Sequence, residues 1–353
     1  MRITFVLPAL DMGGGVRVVA QYAEGLRKKG HDVLVVSRRP QPYDLRGKLR
    51  NLFKREVSSR HHHFQGTGVA VKILNKFRPV QLSDVPLADV IIATWWETAE
   101  WIANFPADRG KKFYFVQDYE IWNGHKARVD TTLRLPMQKI TISEWLRAIL
   151  VNRLGADEPT VVANGVDPKL FFAGDREMPH EPTIGFVYAT HPRKGIDLAV
   201  EAIVNAKKIV PELRCIAFGH SNPVRSLSLP DFVEYQKAPP QTHLREIYSR
   251  CVAWVFPSRE EGFGLPILEA MACGTPVIAA PAGAAPEILA SGGGVLLESH
   301  QTEEMTRNIV RFARMDSGEW KSYSSEAKKV AKKNSIEIAI RRFEEALSVD
   351  IIN

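Results

Sequence analysis

The sequence predicts an α/β protein built as two doubly wound, parallel-sheet domains facing across a cleft. Three observations carry this expectation. Short apolar runs alternate with amphipathic stretches of helical spacing, the pattern of βαβ units and a parallel sheet. A length of 353 residues suits two domains of ordinary size. A glycine-rich loop also joins a strand to a helix once in each half, at 13–15 and at 262–264, and doubly wound sheets bind ligands at such junctions.

Bulk properties narrow the class. Apolar and charged residues make up 45% and 25% of the chain, the balance of a globular protein able to bury a sizeable core. No apolar run reaches the roughly 18 residues of a membrane span, and MRITFVLPAL reads as a first strand rather than a leader. Cys215, Cys251 and Cys273 are scattered through apolar runs, so small buried hydrophobes in a reducing cytoplasm are expected, without a disulfide framework or metal spacing.

The first half opens with a strand, Ile3–Leu7. A helix over Val16–Lys29 ends at Gly30, and a second strand covers Val33–Ser37. Gly13-x-Gly15 begins a dinucleotide fingerprint, but the third glycine position holds Val18. Arg38 and Arg39 stand where an acid would hold a ribose, which weakens the nicotinamide alternative. From Arg38 to Arg60 the chain carries eight Lys or Arg against Asp44 and Glu56, a net +6 out of +7, with Leu45, Leu49, Leu52, Phe53 and Val57 at helical spacing. This basic amphipathic stretch, 38–60, suits an anionic membrane surface or a polyanionic acceptor, and equally a solvated helix. Liposome binding that survives neutralising four of these residues would count against the membrane role. Nucleic acid is not expected, since no aromatic platform accompanies the charge. His61, His62 and His63 are consecutive and read as a surface loop rather than a metal site.

Val69–Phe77 is expected as a helix and Asp89–Thr94 as a strand. Trp95, Trp96 and Trp101 follow that strand, and their rings suit either sugar stacking or the core of the next helix. Phe113–Gln117 is a further strand, so the loop QDYEIWNGH, with Gln117, Asp118, Tyr119, Glu120 and His125, stands at a strand end as a candidate acceptor-side segment. Lys139–Ser143 is a strand, Ser143 suits an N-cap for a helix over Glu144–Leu154, and Thr160–Ala163 closes the first domain. Ala173–Pro182 is polar and proline-rich, as a linker would be.

The second half repeats the scheme. Strands are expected over Thr183–Tyr188, Leu213–Phe218, Val233–Gln236 and Val252–Phe256, and helices over Ile196–Lys208 and Thr242–Arg250. Arg193 and Lys194 end the loop after the first of these strands, and Gly219 ends the second. The densest stretch runs from Phe256 to Leu289. Glu261, Gly262, Phe263 and Gly264 form an acidic, glycine-rich loop. Leu265–Cys273 is a short helix with Pro266 in its first turn, and Pro276–Ala280 is a buried strand. The N–H groups at such a helix start favour phosphate, while Glu261 and Glu269, eight residues apart, can accept hydrogen bonds from sugar or ribose hydroxyls. Ala282–Ala285 lead into a helix start with Glu287, and Thr302–Ala313, Ser317–Lys332 and Ile336–Leu347 form three more helices.

Taken together, the Glu-x₇-Glu spacing, the GFG loop and the GTPVIA strand resemble the donor-site signature of glycosyltransferase family 4, and so do NGVD at 164–167 and Lys194-Gly195. The resemblance is strongest from Glu261 to Ile288. It implies the GT-B fold, with an acceptor-side domain over 1–170, a nucleotide-sugar domain over 181–334, and a last segment, 335–353, crossing back. It also implies a retaining transfer of sugar from a nucleotide-diphosphate sugar to a glycan or lipid-linked acceptor, on the cytoplasmic side of the membrane, in envelope polysaccharide or glycoconjugate synthesis. By the same resemblance Glu261, Lys194, Arg193 and Asp118 are catalytic candidates. Gly14, Gly15, Gly262, Phe263, Gly264, Leu265, Glu269 and Gly219 are donor-side, and Trp95, Trp96, Gln117, Tyr119 and His125 acceptor-side. No Asp-x-Asp occurs, so no metal or other cofactor is expected, with Lys194 and Arg193 carrying the diphosphate charge. Two departures stand out: Gln117-Asp118 where many family members place a His-Asp or other histidine-containing pair, and Ala189 where they carry an arginine. A non-catalytic nucleotide-sugar-binding subunit and a sugar-nucleotide epimerase of the same fold are the alternatives.

Overall fold

The computed structural model describes residues 1–40, 62–122 and 125–348. From residue 41 onward the basic 38–60 stretch lies outside the described residues, as does His61. The chain forms two compact units. The first takes Met1–Ile142, Leu146–Val162 and the chain from Ile340 on, and the second takes Ser143–Trp145 and Ala163–Ala339.

The first unit is a seven-stranded, wholly parallel sheet. Its strands are β1 (Arg2–Leu7), β2 (Asp32–Ser37), β3 (Ala70–Ile73), β4 (Val90–Ala93), β5 (Lys111–Val116), β6 (Gln138–Thr141) and β7 (Thr160–Val161). They lie in the order β3-β2-β1-β4-β5-β6-β7, so the winding reverses between β1 and β4. Central strands read as near-continuous apolar runs because both faces are covered; Phe5, Val6, Ile91 and Ile92 are fully buried. Helix α1 (Gly14–Lys28) follows β1, α2 (Trp96–Ile102) follows β4, and α3 (Lys126–Leu133) follows β5. After β6 the chain is α-helical over Glu144–Ala148 (α4) and then makes a π-helical turn, Ile149–Arg153, where one continuous helix was expected.

The second unit repeats the winding with six parallel strands: β8 (Thr183–Val187), β9 (Arg214–Gly219), β10 (Val233–Lys237), β11 (Ala253–Phe256), β12 (Val277–Ala279) and β13 (Gly294–Leu296). Their order is β10-β9-β8-β11-β12-β13, and the reversal falls between β8 and β11. Its helices are α5 (Ile196–Ile209), α6 (Gln241–Ser249), α7 (Leu265–Ala272), α8 (Ala285–Leu289), α9 (Thr302–Ala313) and α10 (Ser317–Lys333), and α11 (Ile336–Ser348) ends the described chain. In α11, Phe343 is fully buried against the rings of Tyr22 and Phe115, at 4.5 and 5.0 Å. Glu344 bonds His31 Nε2 at 2.7 Å and pairs with Lys29 at 2.6 Å.

Three expectations need correction. The stretch expected as a helix over Val69–Phe77 holds β3, an edge strand pairing Ala70–Ile73 with Leu34–Ser37. Gly68, at φ +69°, turns the chain into it, and β-branched Val71 and Ile73 favour extended backbone. A run this short cannot fix a helical period. Strand β13 went unforeseen because its apolar run is so short; Gly292 and Gly293, both at positive φ, turn the chain into it. The expected linker, 173–182, has no regular structure yet is not loose. Arg176 donates to the carbonyls of Ser249, Cys251 and Cys273 and to Thr275 Oγ1, with its guanidinium 5.1 Å from the Trp320 ring. Burial lowers its pKa to about 10.

Candidate active site

In an open parallel sheet, ligands bind outside the carboxyl ends of the strands where the winding reverses. In the second unit that point is flanked by the loop after β8, which carries Arg193 and Lys194, and the loop after β11, which carries Glu261 to Gly264. The backbone stitches the two together. The Arg193 carbonyl accepts the N–H groups of Arg259 and Glu260, at 2.7 and 3.2 Å. Gly195 sits at φ +62°, and a Cβ there would come within 2.0 Å of the Pro257 carbonyl oxygen, so only glycine permits this approach.

Charged side chains complete the junction. Lys194 Nζ lies 2.5 Å from Glu261 Oε2, with Ser258 Oγ 3.4 Å from the same oxygen. Arg193 pairs with Glu260 at 3.1 Å. Arg259 grips Asp197 through two bonds of 2.7 Å, and this pairing holds the Asp197 carboxyl below its usual range. Ser258 is itself held at its carbonyl by His300 Nε2, at 3.1 Å.

Helix α7 then starts at Leu265, behind Gly264 at φ +99°, with Pro266 in its first turn. Gly262 and Phe263 are buried, and the Phe263 carbonyl accepts the Ala284 N–H at 3.2 Å. Glu269, one turn along, is only 4% exposed, and the Tyr248 hydroxyl donates to it at 2.8 Å. Tyr248 is wedged against Trp254, ring centroids 4.4 Å apart, so Glu269 receives its proton donor from a fixed position. The sequence thus placed Arg193, Lys194, Glu261 and Gly262–Leu265 at one junction and Glu269 behind it. It gave no sign of the Tyr248–Glu269 bond, the His300–Ser258 bond or the Arg259–Asp197 grip, because partners 21 to 62 positions apart meet only in the fold. Gly219 is different: a Cβ there would lie 2.4 Å from the Tyr188 carbonyl oxygen, so packing alone accounts for its size.

The first unit presents a second cluster at its own reversal point. Gly13 donates to Asp11 Oδ1 at 2.7 Å; Gly14 faces open space, and a Cβ on Gly15 would stand 3.6 Å from the Gln117 amide. Gln117 and the glycine loop are therefore neighbours. His63, expected in a surface loop, is half-buried; the Met12 backbone accepts a hydrogen bond from it, and burial lowers its pKa. Asp118 Oδ1 accepts the Tyr119 N–H at 2.8 Å. Trp95 meets Trp122 edge-on at 5.8 Å, both half-exposed. Trp96 and Tyr119, named as acceptor-side candidates, are core residues at 4% and 7% exposure. Trp96 lies against the tilted ring of exposed His125 at 5.4 Å, and the Tyr119 hydroxyl donates to Asp130 at 2.6 Å. Glu120, named in the acceptor-side segment, is enclosed instead of facing a ligand. It is 2% exposed and accepts the Trp96 N–H at 3.0 Å at the start of α2; burial pushes its carboxyl well above the ordinary range. Among the described residues no three His, Cys, Asp or Glu side chains converge as metal ligands, and no helix is long and apolar enough to cross a membrane.

Residues 171–333 match the family described as glycosyl transferases group 1. Similar curated proteins include the D-inositol 3-phosphate glycosyltransferase of Stackebrandtia nassauensis, 30% identical over 210 residues, covering 50% of this chain and 47% of that protein. That of Actinosynnema mirum is 33% identical over 180 residues and covers 43% of each. The chain thus spans about half the length of the curated relatives it matches. Whole-chain similarity is structural. A sucrose-phosphate synthase from Thermosynechococcus elongatus superposes with a TM-score of 0.75 at 19% identity, covering 100% of both chains. Anabaena Alr3699/HepE in complex with UDP-glucose gives 0.75 at 18%, covering 99% of both. WaaG, a glycosyltransferase of lipopolysaccharide biosynthesis, gives 0.69 at 13%, covering 98% of this chain and 100% of that one. At these identities the likeness establishes the fold: two parallel-sheet units of the kind found in GT-B glycosyltransferases.

Proposed function

We propose that this chain is a retaining glycosyltransferase that moves a sugar from a nucleotide-diphosphate donor to a hydroxyl of a glycan or glycolipid acceptor in cell-envelope synthesis. The observation that carries the proposal is the Lys194–Glu261 contact of 2.5 Å at the reversal point of the second sheet. It lies inside the segment that matches the glycosyl transferases group 1 family. One loop pair there offers a cation for phosphate and a carboxylate for hydroxyls.

The chemistry follows from the residues. The donor diphosphate lies against Lys194 and Arg193, with the amides at the start of α7 adding their positive dipole end. Glu269, oriented by Tyr248, accepts hydrogen bonds from the ribose, and Glu261 accepts them from the sugar. As the bond between the anomeric carbon and the phosphate oxygen breaks, charge grows on that oxygen, and fixed cations stabilise it more than the ground state. The acceptor oxygen bonds the same face of the anomeric carbon, and its proton passes to the departing phosphate oxygen. Asp118 and the half-exposed Trp95 and Trp122 of the first unit suit acceptor recognition through a hydroxyl bond and ring stacking. In this scheme Lys194, Arg193 and the amides at the start of α7, rather than a metal ion, face the diphosphate.

A thermal-shift panel of UDP-, GDP- and dTDP-sugars without added metal tests the donor site, since a ligand of the folded state raises the unfolding midpoint. One nucleotide class is expected to raise it, with the rise lost in Lys194→Ala and Glu269→Ala. No rise with any donor would argue for a non-catalytic scaffold.

A further inference from the structure

Each cation in the two donor-side loops already has a carboxylate of its own. Arg193 pairs with Glu260 at 3.1 Å, Lys194 with Glu261 at 2.5 Å, and Arg259 with Asp197 at 2.7 Å. A site shaped only to hold diphosphate would present unbalanced positive charge. Here the three pairs sum to zero formal charge, and the most enclosed carboxylate of the set is Glu261, its side chain 19% exposed against 64% for Glu260 and 57% for Asp197.

From this geometry we infer that Glu261 discriminates substrate from product, admitting the nucleotide sugar and repelling the free nucleoside diphosphate. The inference rests on the donor-site proposal above. A nucleotide sugar brings hydroxyls to the carboxylate, and a hydroxyl can donate to it. Its terminal phosphate is esterified and shares Lys194 at a single negative charge. Once the sugar has left, that phosphate gains a further ionisation with a pKa of about 6. Above that pH it has no proton to donate and meets Glu261 as a like charge over the same ammonium. The carboxylate that steadies the sugar therefore weakens the leaving group's hold once the sugar has gone, which speeds product release.

Isothermal titration at pH 8 with UDP, GDP, ADP and dTDP, each beside its glucose-bearing donor, tests the inference in the full chain. Glu261→Gln is expected to bind the free nucleoside diphosphate about tenfold more tightly than the unmodified protein, the size of one screened charge pair. The same variant binds the nucleotide sugar no more tightly, so the preference for substrate over product falls by that factor. Glu260→Gln, which removes a carboxylate that is itself 64% exposed, is expected to leave the preference unchanged. A second arm needs no variant. Lowering the pH from 8 to 5.5 returns a proton to the terminal phosphate, so the unmodified protein should bind the diphosphate more tightly while its affinity for the nucleotide sugar stays level. If Glu261→Gln weakens the diphosphate or leaves the preference unmoved, or if the pH arm is flat, the inference is overturned and the donor site stands. If the unmodified protein binds none of these nucleotides, both are overturned.

Discussion

Glu120 shows what a single residue does at this sheet edge. Its carboxyl is enclosed, with the Trp96 N–H as a donor and Asp118 nearby, and burial raises its pKa well above the ordinary value. In the unfolded chain the same group titrates near about 4.3. Between those two values the folded state binds more protons, so stability falls as pH rises from the unfolded pKa toward the folded one. Glu120→Gln keeps an acceptor for Trp96 and removes the titration. The variant should unfold at the same temperature as the parent below pH 4 and at a higher one at pH 7 to 8. A parent-minus-variant difference that does not change with pH would contradict this account. Glu120 also marks the limit of sequence reasoning. Glu261 and Glu269 declare themselves because their spacing is local, on one loop and the helix it opens. Glu120 sits at a strand end like Asp118, and only its contact with the α2 start, 24 residues away, separates a capping group from a candidate for the site.

At the scale of elements, most strands and helices were legible because a parallel sheet covered on both faces writes continuous apolar runs between helices of 3.6-residue period. The misses fell on short pieces: β3 and β13, whose three or four residues carry no period, and α3, whose eight residues hold only Val129 and Leu133 as large apolar side chains. Helix α1 carries information of another kind. Gly25 lies in its interior, where glycine costs roughly 1 kcal/mol relative to alanine. A Cβ there would stand 2.2 and 2.8 Å from Ile340 Cδ1 and Cγ1, so the glycine admits α11. Gly25→Ala should therefore lower stability by on the order of 1 to 3 kcal/mol through overpacking, although it favours the helix. Thermal denaturation of Gly25→Ala with and without Ile340→Ala checks this; a higher midpoint for the single variant would show that α11 yields at no cost.

For the whole molecule, the instructive feature is repetition. Both sheets reverse their winding once, and at each reversal the chain places a glycine-containing loop and polar side chains. In the second unit these are cations and carboxylates in matched pairs, in the first a glycine turn, Gln117, Asp118 and a tryptophan corner. Under the proposed function, the charged pairs of the second sheet serve the diphosphate, while Asp118 and the tryptophans of the first suit hydroxyls and rings. The most direct test of that claim follows the sugar itself. The protein is incubated with the donor selected by thermal shift, and the configuration of the first-formed sugar product, transferred or hydrolysed, is read by proton NMR before mutarotation. Release of the nucleoside diphosphate with the anomeric configuration of the donor retained, and loss of both in Lys194→Ala, is the predicted result. An inverted anomer, or a donor that binds and is never consumed, would contradict it.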